Sequence, residues 1–191
     1  MSATITEEVL KAYEVIKKGG IILYPTDTVW GIGCDATNTK AVERIFQIKK
    51  RDEPKSMIIL LDQFEKLYQY VKNVPELALD LNNNITTPLT IVYPQAKNIS
   101  KKLIADDGSI AIRIVRDEFC QKLISLMNKP LVSSTAKFYG DPNPLIFNKI
   151  NEEIFKTVDY VVGINHFRIK EVKSSTIIKF NLNGEYEIVR S

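Results

Sequence analysis

The sequence predicts one α/β domain over residues 1–191, built on a twisted mixed sheet flanked by helices. Short apolar runs of strand length alternate with amphipathic segments of helix length along most of the chain. The last two apolar runs are joined by Asn183-Gly184, a dipeptide typical of hairpin turns. With 191 residues, 45% of them hydrophobic, the chain is long enough to bury a sizeable core.

The individual elements follow from start, stop and periodicity signals. The first predicted helix begins at Thr6 and ends at Gly19-Gly20, and a buried strand follows at 21–24. Residues 39–50 repeat the pattern of a threonine start and an apolar stripe, which predicts a second helix. The other predicted elements are strands at 57–61, 89–94, 111–115, 130–134, 159–163, 175–180 and 185–190, and a helix at 118–127.

Composition limits the class of protein. There are 26 basic and 23 acidic residues, a net charge of +3, which permits an anionic ligand but is not typical of a strong nucleic-acid binder. Cys34 and Cys120 have neither metal-ligand spacing nor a disulfide framework, and Cys34 is interpreted as a small packed residue, with a reactive thiol as the alternative. The N-terminus is too polar for a signal peptide, and no apolar run approaches a membrane span. We therefore expect a reduced, cytoplasmic protein with no membrane partner.

The segment after the first strand is the first candidate site. Pro25 breaks the strand, and two threonines around Asp27 and the glycines Gly31 and Gly33 follow. Ligands of open α/β sheets bind beyond the carboxyl ends of strands, so this loop is expected to contact one. Glycines would let the backbone approach the ligand, and hydroxyl groups would bind it. The alternative is a tight turn held by Asx-type hydrogen bonds from Asp27.

Two further segments are candidates for an anion site. Lys49, Lys50, Arg51 and Lys55 cluster at the end of the second predicted helix, next to a buried strand. An arginine fork matches phosphate geometry and a lysine adds a point charge, although cations also simply complement a helix carboxyl end. Residues 133–144 form a hydroxyl-rich exit from a strand, which could bind a phosphate or a carboxylate or could be an ordinary loop.

Absent motifs restrict the reaction class. The chain has neither a Walker loop, nor GxGxxG, nor a nucleophile elbow, and its one histidine, His166, has no obvious catalytic partner in the sequence. Triad hydrolases, P-loop kinases and Rossmann dehydrogenases are therefore not indicated. If the protein is an enzyme, we expect it to work by positioning its reactants and neutralising anionic charge.

Six motifs occur in a fixed order. They are YPTDTVWGIGCDA (24–36), Lys-x-Arg (49–51) with Lys55 following, PLT (88–90), IRI (112–114), PLVSSTA (130–136) and SSTIIKF (174–180). Together they resemble the YrdC-like family of threonylcarbamoyl-AMP synthases, from Gly20 to Arg190. The match is to the short members with a single YrdC-like domain.

The resemblance implies a two-step reaction. L-threonine and bicarbonate give N-carboxythreonine, whose carboxylate attacks the α-phosphate of ATP and releases pyrophosphate; Mg²⁺ is expected with the ATP. The product passes to a partner transferase that modifies an adenosine of certain tRNAs. Two alternatives are a module that binds double-stranded RNA or tRNA, and a nucleotide-binding paralogue without synthase activity.

The resemblance also implies three sets of site residues and no metal ligand. The catalytic residues are Lys49 and Arg51. The threonine-binding residues are Thr28, Arg113 and Ser175. The nucleotide-binding residues are Arg51, Lys55, Thr90, Thr135 and Arg190.

Two departures from the family pattern bear on the expected pocket. Lys137 replaces the asparagine of the usual Ser-Ala-Asn, and Tyr139 replaces the serine of the Ser-Gly that follows. A lysine offers donors only, on a long stem, whereas an asparagine offers a donor and an acceptor at short reach. Lys137 could therefore impair the pocket, add a phosphate contact, or turn to solvent.

Overall fold

The computed structural model describes residues 4–49, 57–138, 140–144, 146–164 and 175–190. Within these ranges the strands are β1 (Ile22–Tyr24), β2 (Gly31–Gly33), β3 (Ile58–Leu61), β4 (Leu89–Tyr93), β5 (Ile110–Ile114), β6 (Leu131–Thr135), β7 (Tyr160–Val161), β8 (Thr176–Phe180) and β9 (Tyr186–Arg190). The α-helices are α1 (Ile5–Lys17), α2 (Thr39–Lys49), α3 (Leu67–Tyr70), α4 (Glu76–Asn84), α5 (Glu118–Met127) and α6 (Glu152–Thr157). No described helix is long and apolar enough to cross a bilayer.

All nine of these strands form one mixed sheet, as predicted. Their order is β7-β1-β2-β6-β3-β5-β4-β8-β9. The pairs β1–β7, β3–β5 and β4–β8 are parallel, and the other neighbours are antiparallel. The predicted hairpin at Asn183-Gly184 is confirmed: it joins β8 to β9, and Gly184 has a φ of +85°.

The two faces of the sheet are covered differently. One face packs along most of its width on a large core that includes α2 and α4. On the other face a smaller core joins α1 and α5 to one half of the sheet, with Ile22, Tyr24, Leu60 and Leu131 as its buried strand residues. In β4 and β5, Ile91 and Ile112 belong to the large core, so Thr90 and Arg113 project from the opposite face because side chains alternate along a strand. That half of the face carries no helix among the described residues.

The start of α1 differs from the prediction. Thr4, and not Thr6, is the N-cap: its hydroxyl accepts a hydrogen bond from the backbone N–H of Glu7 (3.3 Å), and the Glu7 carboxylate accepts one from the Thr4 N–H (2.8 Å). This capping box satisfies two N–H groups that the helix itself leaves unpaired. A threonine two residues later cannot form the same pair with Glu7.

Several elements lie outside the sequence-based prediction. Strand β2 falls within the predicted loop because it is only three residues long and two of them are glycine. Gly33 is required there by packing: a Cβ would collide with the Val132 carbonyl and lie 2.7 Å from the Tyr24 ring. Helix α4 lacks a clear apolar stripe, since Ala78 is its buried residue.

Candidate functional site

A cavity of about 340 Å³ opens on the uncovered half of the sheet. Its walls come from the faces of β4, β5, β6 and β8, from β9, and from the loop between β1 and β2. Six of the predicted site residues line it: Thr28, Thr90, Arg113, Thr135, Ser175 and Arg190. The structure therefore brings together residues that are spread over more than 160 positions of the chain.

The position of the cavity matches the expectation in part. The loop beyond the carboxyl end of β1 lines it, as predicted, but the cavity extends over the face of the sheet, where Thr90 and Arg113 reach it from within β4 and β5. In a mixed sheet neighbouring strands run in opposite directions, so their carboxyl ends do not meet at one edge. The cavity forms instead on the uncovered half of the sheet.

Arg113 is the centre of a buried polar network. Its Nε donates to the Thr90 hydroxyl (3.2 Å), and its Nη1 donates to Oδ1 of Asp27 (3.0 Å) and to the Thr28 hydroxyl (3.2 Å). The residue is 7% exposed. A guanidinium this buried is held in one orientation, because losing any of these partners would leave an unpaired donor.

A second arginine extends the network to the edge of the sheet. The hydroxyls of Thr90 and Ser175 lie 2.9 Å apart, and Arg190 donates from Nη2 to the Ser175 hydroxyl (3.2 Å). Arg190 also donates to the Ser175 carbonyl from Nε (3.0 Å) and Nη2 (2.8 Å). Partial burial, together with the nearby Arg113 guanidinium, lowers the pKa of Arg190. A negative ligand would relieve both effects.

The charges on the cavity wall have one sign. Arg113 and Arg190 line it, and no aspartate or glutamate is among the described lining residues. Asp27 pairs with Arg113 but does not line this cavity. Two cations amid hydroxyl groups indicate a site for an anionic ligand.

The loop between β1 and β2 is folded by Thr26. Its hydroxyl donates to the Val29 carbonyl (2.6 Å) and accepts from the Thr28 N–H (3.0 Å). The alternative of an Asx-type turn at Asp27 is wrong, because that carboxylate instead pairs with Arg113 on β5. The loop therefore delivers Thr28 to the cavity while Asp27 fastens it to a distant strand.

Lys49 does not line the cavity. Its side chain is buried at the end of α2, and its ammonium donates to the backbone carbonyls of Thr135 (2.5 Å) and Lys137. Its catalytic role stays a prediction. Its two contacts with backbone carbonyls hold the chain at the end of β6. The other predicted cations, Arg51 and Lys55, lie outside the described residues.

The departures from the family pattern are placed as follows. The Lys137 ammonium donates to the Asp141 carbonyl (2.5 Å), and Lys137 is not among the described residues that line the cavity. The contact with Asp141 occupies the Lys137 ammonium in this structure, and its effect on ligand binding stays a prediction. Tyr139 lies outside the described residues.

Trp30 and Ser133 are cavity residues that the sequence analysis did not assign. Their signal was available in part, since Ser133 shares a strand face with Thr135 and Trp30 belongs to the threonine-rich loop.

The two cysteines are buried, and burial raises the pKa of the Cys34 thiol, which agrees with a packed residue. The described residues contain no group of three or more His, Cys, Asp or Glu side chains that could hold a metal.

A protein-family model matches most of the chain. The Sua5/YciO/YrdC model, described as "Telomere recombination", matches residues 14–191. The chain belongs to this family. The Sua5/YciO/YrdC match includes every residue that the sequence analysis placed in the site.

Two curated relatives are named threonylcarbamoyl-AMP synthase. The protein of Pseudoalteromonas translucida (strain TAC 125) is 32% identical over 154 residues, which cover 79% of this chain and 82% of the relative. The protein of Pyrococcus abyssi (strain GE5 / Orsay) is 30% identical over 155 residues, which cover 81% of this chain and 46% of the relative. The match thus spans about four fifths of the first relative and about half of the second.

Solved structures of Sua5/YciO/YrdC proteins share the fold. P. abyssi Sua5 complexed with L-threonine has a TM-score of 0.83 and 28% identity, covering 94% of this chain and 52% of that one. E. coli YciO has a TM-score of 0.82 and 24% identity, covering 96% of this chain and 88% of that one. The predicted fold class, a mixed sheet flanked by helices, is therefore confirmed.

Proposed function

We propose that this protein is a threonylcarbamoyl-AMP synthase, which makes its product from L-threonine, bicarbonate and ATP and releases pyrophosphate. The observation that carries the proposal is the cavity on the open face, where Arg113 and Arg190 stand among hydroxyl groups with no described acid on the wall. Its volume of about 340 Å³ is within the usual range for small-molecule sites. The names of two relatives and the threonine complex of P. abyssi Sua5 support it.

The proposed chemistry needs little from the protein beyond alignment and charge. The amine of threonine attacks the carbon of bicarbonate, a C–N bond forms, and water leaves. An oxygen of the resulting carbamate attacks the α-phosphorus of ATP, the bond to the bridging oxygen of the β-phosphate breaks, and pyrophosphate leaves with that electron pair. Both steps bring anions together, so fixed cations and excluded water lower the barrier.

The described residues can be given roles in that scheme. Arg113 would pair with the threonine carboxylate, with Thr28 and Ser175 on either side of the amino acid. The nucleotide would then contact Thr90, Thr135 and Arg190. Arg51 and Lys55, which fall in the sequence between Lys49 and the cavity residue Met57, would face the phosphates.

The downstream step belongs to the proposal as well. Threonylcarbamoyl-AMP would pass to a transferase that modifies tRNA, and direct contact of this chain with tRNA or double-stranded RNA is a further possibility to test. The described cavity is a pocket for small molecules, and the net charge of the chain is +3. These properties favour the synthase over an RNA-binding module.

The test is pyrophosphate release from ATP with threonine and bicarbonate, each omitted in turn. We expect release that requires both, and loss of that release in Arg113→Lys, because a lysine cannot reproduce a fork that donates in three directions. Release without threonine would contradict the proposal. ATP binding without any release would point to a nucleotide-binding paralogue, and a salt-dependent shift of tRNA without turnover would point to an RNA-binding module.

A further inference from the structure

Asp27 makes a contact that the sheet topology alone does not provide. Its Oδ1 lies 3.0 Å from Nη1 of Arg113, and the two side chains are 19% and 8% exposed. Strands β2, β6 and β3 separate β1 from β5, which is four strand spacings, or roughly 19 Å. The loop after β1 must therefore extend over the open face to bring Asp27 to β5. The pair fastens this loop at the point where it carries Thr28.

Asp27 is placed to act on the main cavity through Arg113. It does not line that cavity but a second one of about 100 Å³, whose wall also includes Thr86 and Arg116. Arg113 lines the main cavity and not the second. The ion pair is therefore the partition between the two, with the carboxylate on one side and the guanidinium on the other.

The hydrogen bonds of Arg113 show what the pair leaves available. A guanidinium has five N–H donors. The Nε donor is used by Thr90, and Nη1 donates to both Asp27 and Thr28. Nη2 has no acceptor among the described residues. A carboxylate or phosphate ligand takes donors from such a fork, and here the available ones are on Nη2.

We propose that Asp27 is a positioning residue for the binding of the amino-acid carboxylate. It fixes the rotation of the Arg113 guanidinium, so that Nη2 faces the main cavity, and it offsets the charge of Arg113 while the cavity is empty. The identity of the ligand rests on the proposed function; the orientation of Arg113 does not. Without Asp27 the guanidinium keeps its charge and its bonds to Thr90 and Thr28 but loses its carboxylate acceptor, so a ligand carboxylate meets a less well oriented donor.

The first experiment compares two ligands that differ only in the carboxylate. The binding of L-threonine and of L-threoninol is measured by calorimetry on the wild type, Asp27→Leu, Asp27→Asn and, as a matched control, Asp106→Asn, whose side chain is exposed. We expect the preference for threonine to fall by about tenfold in Asp27→Leu, because a charge-assisted hydrogen bond contributes on the order of that factor. The preference of Asp27→Asn should lie between those of the wild type and Asp27→Leu, since its amide oxygen can still accept from Nη1.

A general structural defect gives a different result. It would weaken threonine, threoninol and ATP alike, and equal losses for all three ligands would overturn the proposal. We expect the ATP affinity of Asp27→Leu to stay within about twofold of the wild type. A wild-type preference that survives in Asp27→Leu would also overturn it.

A second readout does not depend on threonine. The ¹⁵N-resolved guanidinium protons of Arg113, assigned by their loss in Arg113→Lys, should show slow rotation in the wild type and fast averaging in Asp27→Leu. If the wild type binds neither threonine nor threoninol, the proposed function fails, and this measurement alone decides the role of Asp27. Equally slow rotation in the wild type and in a folded Asp27→Leu would overturn it.

Discussion

The Lys49 ammonium lies 2.5 Å from the backbone carbonyl oxygen of Thr135, and it also donates to the carbonyl of Lys137. The end of α2 is thereby tied to the end of β6, across 86 residues of sequence. Because the Thr135 side chain lines the main cavity, this buried cation shapes the wall without lining it. A lysine that the motif marks as catalytic thus has a structural contact that can be tested by itself.

Lys49→Met should lower the free energy of unfolding by about 2–3 kcal/mol, because it leaves two carbonyls without a charged donor. Urea denaturation measures the change. The matched control is Lys40→Met on the same helix, where the side chain is exposed and the expected change is below about 0.5 kcal/mol. An unchanged unfolding free energy in Lys49→Met would leave chemistry as the only role of this residue.

Thr90→Val should disrupt the cavity with almost no change in side-chain volume. The Thr90 hydroxyl accepts from Arg113 and bonds to Ser175, so its removal leaves two buried polar groups without that partner. We expect a loss of about 1–3 kcal/mol in unfolding free energy, together with weaker threonine binding. Thr90→Ser keeps the hydroxyl and should restore most of both. Equal damage in the two variants would show that loss of the hydroxyl does not by itself account for the effect.

Lys137→Asn restores the residue that the family usually has at this position. Since the Lys137 ammonium contacts the Asp141 carbonyl and does not line the cavity, we expect pyrophosphate release within about threefold of the wild type. Steady-state kinetics with all three substrates measures the effect. A much larger gain would show that the native lysine impairs the site.

Both thiols should resist labelling in the folded protein. Cys34 and Cys120 are 0% exposed, and burial raises the pKa of Cys34, so little reactive thiolate is available. With a chromogenic disulfide at pH 8 we expect well under one equivalent to react in buffer and two in denaturant, because the chain has two cysteines. Rapid labelling of the wild type that Cys34→Ser abolishes would revive the reactive-thiol alternative.

The lowered pKa of Asp107 predicts a contribution to the free energy of unfolding that is lost in acid. A hydrogen bond from the Ser109 hydroxyl, and then one from Lys179, lower the pKa of Asp107 to about 2. Because the folded pKa is below the unfolded value, the contribution is present above about pH 4 and is lost as the pH falls toward 2. Asp107→Asn should therefore differ from the wild type near neutral pH and converge with it in acid, as followed by urea denaturation from pH 7 to 2. The side chain is 52% exposed, so we expect less than about 1 kcal/mol. A difference that grows toward acid would contradict this assignment.

The parts of the structure that local signals determine were predictable from the sequence. Apolar runs located most strands, and Asn183-Gly184 located the hairpin, because both depend on near neighbours. Thr90 and Arg113 were named through the family motifs, whereas the uncovered half of the sheet was not predicted. The start of α1 was misplaced by two residues because both Thr4 and Thr6 precede acidic residues, and only the geometry with Glu7 selects between them.

The rest depends on contacts between distant parts of the chain. No local pattern shows that Asp27 pairs with Arg113, 86 residues later, or that Lys49 turns to the carbonyl of Thr135. Strand β2 forms because β1 and β6 flank it, although its glycines are poor strand formers alone. The motifs therefore named six residues of the cavity wall but not how they hold each other.

The place of β9 has a consequence for the newly made protein. Val189 and Arg190 belong to this edge strand and form part of the cavity wall, while Thr28, which also lines the cavity, is translated some 160 residues earlier. A ribosome-bound chain that has exposed everything up to β8 still lacks the guanidinium that bonds to Ser175. Ligand binding should therefore appear only after Arg190 has left the exit tunnel. A chain stalled before that point would be unable to bind the ligand even where its earlier elements have folded.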